Sequence, residues 1–207
     1  MNTEQAVGVV LAGGCSRRMA GREKSLLPFA NGLLLSRILE RFLPQVGSAL
    51  LSANGDPDRY FRFGLPVIAD LRVDRPGPLA GIEAAFLATS APWIASIPVD
   101  VPFLPPDLIA RLRAAVIRAD QPVVARSGGR LHPVIALWPR RFLAAIQAFL
   151  DSDNRKLIDL LALHAHQQVD FPPGPEGVDP FFNVNDPDRL AQAERWAATA
   201  SRVREAS

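Results

Sequence analysis

Short apolar runs alternate with amphipathic stretches through most of this chain. The runs Ala6 to Leu11, Ser48 to Ala53, Pro66 to Ile68, Trp93 to Pro98, Pro122 to Arg126, Leu131 to Trp138 and His166 to Phe171 have strand length. Between them, apolar residues at helical spacing mark Leu33 to Leu43, Leu79 to Thr89, Pro106 to Ile117, Arg140 to Leu150, Asn154 to Leu163 and Pro187 to Ala198, several opening on Asp, Asn or Pro. This alternation predicts an α/β fold: a mostly parallel twisted sheet with helices on both faces, of Rossmann-like design. Ser127-Gly128-Gly129-Arg130 predicts a hairpin turn, Pro172 to Gly177 a loop, and the residues after Ala198 a frayed tail.

In a sheet of this kind ligands bind where the strands deliver their carboxyl ends. Four polar loops fall there: Leu11-Ala12-Gly13-Gly14 after the first strand, Asn54-Gly55-Asp56 after the second, Asp70 after the third, and Pro98-Val99-Asp100-Val101-Pro102 after the fourth. The first continues as Cys15-Ser16-Arg17-Arg18-Met19 and reaches Lys24 five residues later. Paired glycines bring backbone N–H groups close to a ligand, arginines add bidentate forks and Lys24 adds a point charge, a set suited to a polyphosphate. Glu23 precedes Lys24-Ser25 where a Walker loop needs glycine, and adjacent Gly13 and Gly14 do not form G-x-G-x-x-G. The loop therefore predicts a nucleotide site of neither the P-loop nor the dinucleotide type.

Asp100 ends a buried strand between two prolines, where an unpaired carboxylate is costly unless a cation meets it; the Mg²⁺ of a nucleotide is the cation predicted, with capping of the helix near Pro105 as the alternative. Gly77-Pro78-Leu79-Ala80-Gly81 either lets the backbone approach a flat nucleobase or is only a helix entrance. Asn54 and Asp70 are placed to hydrogen-bond a base or ribose, or serve plain turn chemistry. His132 is either a structural histidine at a strand edge or a contact to a second substrate. Asp186 or Asn185 caps the last helix, with Asn183 and Asn185 able to face the site. His164 and His166 lack the further ligands of a zinc site, and no G-x-S-x-G elbow favours a hydrolase.

Composition narrows the class. At 207 residues, 48% hydrophobic and 21% charged, the chain is expected to form a single domain spanning 1–207. The net charge of +2 is small and the basic residues are scattered, which argues against nucleic acid as a partner. A polar start and the lack of any apolar run approaching the ~20 residues that span a bilayer predict a cytoplasmic protein without membrane association. The one cysteine, Cys15, excludes an internal disulfide and has no identifiable histidine partner for nucleophilic work.

Taken in order, L-A-G-G-x-S-x-R-M, Lys24, Gly77-Pro78-Leu79-Ala80-Gly81, Asp100-Val101-Pro102, His132-Pro133 and Asn183-Val184-Asn185 resemble the molybdenum cofactor guanylyltransferases of the MobA type, over about Val7 to Leu190. The resemblance implies a reaction of GTP with molybdenum-bearing molybdopterin that yields the guanine dinucleotide cofactor and pyrophosphate, with Mg²⁺ as cofactor. It implies that Leu11, Ala12, Gly13 and Gly14 lie against guanine and ribose, that Arg18 and Lys24 lie near the phosphates, and that Asn54, Asp70 and Gly81 belong to the nucleotide site. Asp100 matches the metal ligand, so Arg18, Lys24 and Asp100 form the expected catalytic set, while His132, Asn183 and Asn185 match the pterin half. The nucleotide half then covers about 6–120 and the pterin half about 121–198. The paired glycines resemble the guanine-selecting loop. The rivals are a cytidylyltransferase for the same pterin, a sugar-nucleotide enzyme of this class, and a nucleotide- or pterin-binding chaperone without turnover. The resemblance also implies a monomer or weak oligomer that docks transiently to molybdoenzymes or their chaperones. Glu23 and Ser25 stand where relatives commonly carry Asp and Gly, and Cys15 where they carry a polar residue.

Overall fold

In a computed structural model of the chain, residues 6–13, 23–72, 77–152, 154–174 and 177–205 are described, with side chains of the last helix described as far as 199. Strands β1 (Ala6–Leu11), β2 (Pro28–Phe29), β3 (Gly32–Leu33), β4 (Ser48–Ser52), β5 (Val67–Ile68), β6 (Trp93–Pro98), β7 (Val123–Ser127), β8 (Arg130–Pro139) and β9 (Gln167–Asp170) are interleaved with helices α1 (Leu34–Phe42), α2 (Pro78–Ala88), α3 (Leu108–Ala114), α4 (Leu143–Asp151), α5 (Leu157–Leu163) and α6 (Pro187–Glu205). Among the described residues seven strands form one sheet in the order β5-β4-β1-β6-β8-β7-β9, and only β8 runs against its neighbours. The α/β fold class expected from the sequence pattern is the one formed.

Period-two alternation explains the two-sided core. In β1, Val10 joins α1 and α3 residues such as Leu35, Ile38, Leu108 and Leu112 on one face. Its neighbours Val9 and Leu11 join Leu79, Ile82, Phe86, Ile146 and Leu160 of α2, α4 and α5 on the other. Because both faces are covered, the central strands read as continuous apolar runs. A third, smaller cluster packs Ala193 and Ala197 of α6 over Phe29, Leu34 and Val184.

The differences from the expected elements have local causes. The β2–β3 hairpin is too short to display a period, and its turn passes through Ala30 at φ +49°. The helix expected over Pro106 to Ile117 is confined to α3, which closes when the Ala115 N–H turns back to the Arg111 and Arg113 carbonyls. Before α5, Asn154 donates to the Ser152 hydroxyl at 2.9 Å, and residues 154–156 are not helical where helix was expected. Past Ala198, where fraying was expected, α6 continues to Glu205.

Two features of the sheet position the site. Between β1 and β6 the chain order reverses, so the connections leaving these neighbouring strands diverge and open a crevice at their carboxyl ends. Between β7 and β8, Gly128 and Gly129 at φ +53° and +76° make the tight turn. The register then slips: Ala125 pairs with His132 but Val124 pairs with Ala136, so Pro133 to Ile135 bulge from the ladder. Pro133 has no N–H to lose there. The Val134 carbonyl accepts instead from the buried Ser96 hydroxyl at 2.7 Å.

Candidate active site

Asp100 is aimed into the crevice by its neighbours, because Val99 and Val101 on either side are both buried. The Val99 N–H donates to the Leu11 carbonyl at 3.2 Å, which ties the start of this turn to the end of β1. The carboxylate is 13% exposed and holds Lys24 Nζ at 2.7 Å through Oδ2. Its other oxygen accepts from Asn183 Nδ2 at 2.9 Å. Lys24 also donates to Asn185 Oδ1. In Asn183-Val184-Asn185 the Val184 N–H donates to the Asp100 carbonyl at 2.8 Å and its side chain is fully buried, so alternation turns both asparagines toward the carboxylate. Residues far apart in the chain thus meet at one ion pair. The alternative of Asp100 as a helix cap is corrected, since Asp107 takes the cap position of α3 and Asp100 bonds elsewhere. Asp186 caps α6, accepting the Arg189 N–H at 2.8 Å.

Lys24 is held in place by a tight turn over Lys24–Leu26 with Ser25 fully buried. Two of the three departures from the common loop pattern contact each other: the Ser25 hydroxyl donates to Glu23 Oε1 at 3.2 Å, and Arg59 lies 2.6 Å from the other Glu23 oxygen. Leu11, Ala12 and Gly13 line the cleft, but the expectation of bare loop amides is corrected for two of them. The N–H groups of Ala12 and Gly13 both donate to the Ser52 carbonyl, at 2.8 and 3.1 Å. Gly14, Cys15 and Arg18 lie outside the described residues.

Asn54 and Asp70 join in a two-bond ring, the Asn54 amide donating to Asp70 Oδ2 at 2.9 Å and the Asp70 N–H donating to Asn54 Oδ1 at 3.0 Å. A Cβ on Gly13 would lie 3.4 Å from Asn54 Nδ2, so the pair borders the first loop. Turn chemistry in this segment falls instead to Asp56, which accepts from the Asp58 N–H at 3.0 Å. Asn54 and Asp70 are half-buried and are not themselves among the residues lining the cleft. Gly81 is set deeper in the fold. It is buried, it is not among the residues lining the cleft, and a Cβ there would lie 2.5 Å from Ser52 Oγ and 2.6 Å from Leu11 Cδ2. Its small size lets α2 pack against β1 and β4. Pro78, at the start of α2, does line the cleft.

The cleft holds about 860 Å³ and continues from Asp100 along the β8 bulge to His132, Phe181 and Arg189. At this far end His132 Nε2 lies 2.8 Å from Ser127 Oγ, and the ring stands 4.9 Å from Phe181. Burial pushes the His132 pKa below its ordinary value, aided by Arg130 and opposed by Asp179. Arg189 was not foreseen: its guanidinium lies 4.0 Å over the Phe182 ring while Nε donates to the Asn183 carbonyl at 2.6 Å. The sequence carried a signal for it, a basic residue one turn after the Asn-Val-Asn segment, masked by many other arginines. His164 packs edge-on against Phe142, and His166 Nδ1 lies 3.1 Å from the His164 carbonyl.

The donor set suits a hard cation. Asn183 Oδ1 is buried with no hydrogen-bond partner among the described residues, close to a carboxylate that already holds an ammonium ion. No group of three or more His, Cys, Asp or Glu comes together among those residues. One carboxylate with oxygen neighbours is what Mg²⁺ uses when substrate phosphates and water complete its shell.

A crevice at the reversal of a mostly parallel sheet, walled by a lysine–aspartate pair, defines the class: this is an α/β nucleotidyltransferase fold. The family model of the MobA-like NTP transferase domain matches residues 8–169. A molybdenum cofactor guanylyltransferase from Mesorhizobium japonicum is 50% identical over 197 residues, covering 91% of this chain and 94% of its own. One from Rhodopseudomonas palustris is 47% identical, covering 94% and 95%. Among solved structures, molybdopterin-guanine dinucleotide biosynthesis protein A from Archaeoglobus fulgidus shares the fold with TM-score 0.75 at 21% identity, covering 93% of this chain and 99% of its own. A CMP:2-keto-3-deoxy-manno-octonic acid synthetase complexed with CTP does so with TM-score 0.74 at 15% identity, covering 95% and 100%. The chain belongs to the MobA-like NTP transferase family.

Proposed function

We propose that this chain transfers GMP from GTP to molybdenum-bearing molybdopterin and releases pyrophosphate. The observation that carries the reading is the Lys24–Asp100–Asn183 cluster at the β1/β6 crevice, with the unpartnered Asn183 Oδ1 beside it, in a chain half identical to a guanylyltransferase. GTP occupies the crevice between the first loop and the Asn54–Asp70 pair, with Leu11, Ala12, Gly13 and Gly14 against the nucleoside and Arg18 and Lys24 toward the phosphates. The pterin occupies the other half, along His132, Asn183 and Asn185. The cleft, of about 860 Å³, runs continuously from the Asp100 end to the His132 end, so both substrates can share it.

The terminal phosphate of the pterin is an anion at neutral pH, so its oxygen attacks the α-phosphorus of GTP without a general base. The bond from the α-phosphorus to the bridging oxygen breaks and pyrophosphate leaves. The protein's contribution is alignment and charge screening. Lys24 is anchored by Asp100 before substrate arrives and leans toward the phosphates without a search for its rotamer. Asp100 and Asn183 Oδ1 would hold Mg²⁺, which when bound screens the phosphate charge. Arg189, with its guanidinium stacked on Phe182, has no hydrogen-bond partner among the described residues for its terminal nitrogens and lines the pterin half, where it meets the attacking phosphate. No helix among the described residues is long and apolar enough to cross a membrane.

The test is thermal unfolding with Mg²⁺ and each nucleoside triphosphate, followed by pyrophosphate release with molybdopterin. GTP alone should raise the midpoint, and release should require the pterin. Stabilisation by CTP alone overturns the guanine assignment; nucleotide binding without release overturns the enzyme.

A further inference from the structure

Ser127 ends β7 with 3% exposure, and its single hydroxyl proton has two claimants. Asp179 Oδ1 lies 2.8 Å away, and His132 Nε2 also lies 2.8 Å away. Asp179 Oδ1 further accepts the Phe181 N–H at 2.9 Å, so this oxygen is fixed as an acceptor facing the serine. A carboxylate oxygen cannot donate, so the Ser127 proton points to Asp179. The serine then offers His132 only lone pairs, and the proton in that contact must sit on Nε2. A neutral imidazole carries one N–H, which leaves Nδ1 with a bare lone pair. No described residue donates to Nδ1, on a ring that lines the cleft beside Phe181. The contacts run Asp–Ser–His, so the histidine cannot draw a proton from the serine, and the cluster is not a hydrolytic triad.

We propose that Ser127 and Asp179 are positioning residues that lock His132 in its Nε2–H form, so that Nδ1 accepts a hydrogen bond from an N–H at the edge of the second substrate's flat heterocycle. The reaction has no use for a base here, because the attacking phosphate is already ionised. An acceptor beside an aromatic ring instead selects a heterocycle by its donor edge. The ligand named rests on the reading that the pterin occupies this half of the cleft; the tautomer does not.

The experiment uses the full chain in two measurements. Long-range ¹H–¹⁵N spectra of ring-labelled histidine at pH 7.5, assigned with His132→Gln, should show His132 protonated at Nε2 only. Steady-state kinetics should show Ser127→Ala and Asp179→Ala raising KM for molybdopterin about tenfold, the loss of one well-placed hydrogen bond, while kcat and the KM for GTP stay within about twofold. Asp179→Asn keeps an acceptor oxygen for the serine and should stay near wild type. If Asp179→Ala does not fold, Ser127→Ala reads the same contact. A wild-type His132 protonated at Nδ1 overturns the lock. A Ser127→Ala enzyme whose two KM values rise together, or do not move, overturns the acceptor. Wild-type protein without turnover overturns the pterin reading and with it the ligand, while the spectrum still judges the lock.

Discussion

The two ends of the cleft are built on opposite electrostatic plans. At the Asp100 end an ammonium and a carboxylate, 16% and 13% exposed, face each other at 2.7 Å, with two asparagine side chains bonding the pair. At the His132 end a neutral ring is held through a buried hydroxyl and packed against Phe181. A charged cluster that is largely buried tolerates no deletion of one partner, because the survivor stays desolvated and alone. A neutral hydrogen-bonded chain loses only the fixed direction of one bond. The first plan suits a site that must neutralise a triphosphate and bring an anionic nucleophile to it; the second suits recognition of a flat, uncharged edge.

That contrast predicts a graded series of effects. Asp100→Asn should lower the rate of pyrophosphate release on the order of 10³-fold, with a much smaller change in GTP binding measured by calorimetry. A loss as mild as that of Ser127→Ala would erase the distinction between the ends. Lys24→Met should follow at roughly 10²-fold in kcat, checked in the same assay. Gly81→Ala should lower stability by about 1–3 kcal/mol, because its Cβ would collide with Ser52 and Leu11 at the helix–sheet contact. Denaturant unfolding checks it, and an unchanged midpoint would return Gly81 to the ligand face.

The His132 end should respond to pH, and an exposed surface ion pair to ionic strength. Burial and Arg130 hold the His132 pKa below the ordinary value near 6.5, against the pull of Asp179. The folded ring therefore binds its proton less tightly than the unfolded one. This destabilisation is absent above pH 6.5 and grows as pH falls from there through the lowered folded pKa. In the same window protonation converts Nδ1 from acceptor to donor, so KM for molybdopterin should rise while KM for GTP does not. A flat profile between pH 7.5 and 5.5 would break this half of the comparison. The smallest effect belongs to Arg118, exposed on the surface against an exposed Asp120 at 3.1 Å. Arg118→Ala should barely move the midpoint of thermal unfolding, and not at all at high salt.

Much of this was legible in the sequence, for identifiable reasons. Strands buried on both faces show as unbroken apolar runs, so β1, β4, β6 and β8 were located to within about two residues. Asp100 between its prolines, and the two asparagines around Val184, announced themselves by unusual spacing. The Ser127–His132–Asp179 chain did not, since a serine at the end of a strand and an aspartate in a loop carry no pattern of their own. Nor did Arg189, one of many arginines, whose place over Phe182 and bond to the Asn183 carbonyl follow from the fold. The amides of Ala12 and Gly13 were read as free because sequence cannot show the Ser52 carbonyl beside them.

The order of apolar and polar residues alone determined the layered sheet, the crevice edge and the residue types gathered there, because these follow from local periodicity and from which strands end in polar loops. Only the tertiary structure decided which partner each group meets: Lys24 with Asp100 across the crevice, the Ser127 proton with Asp179, and Gly81 with the strand beneath it. Such pairings join residues tens of positions apart at distances set by packing, and both a proton's place and a side chain's ionic partner depend on distances below 3 Å.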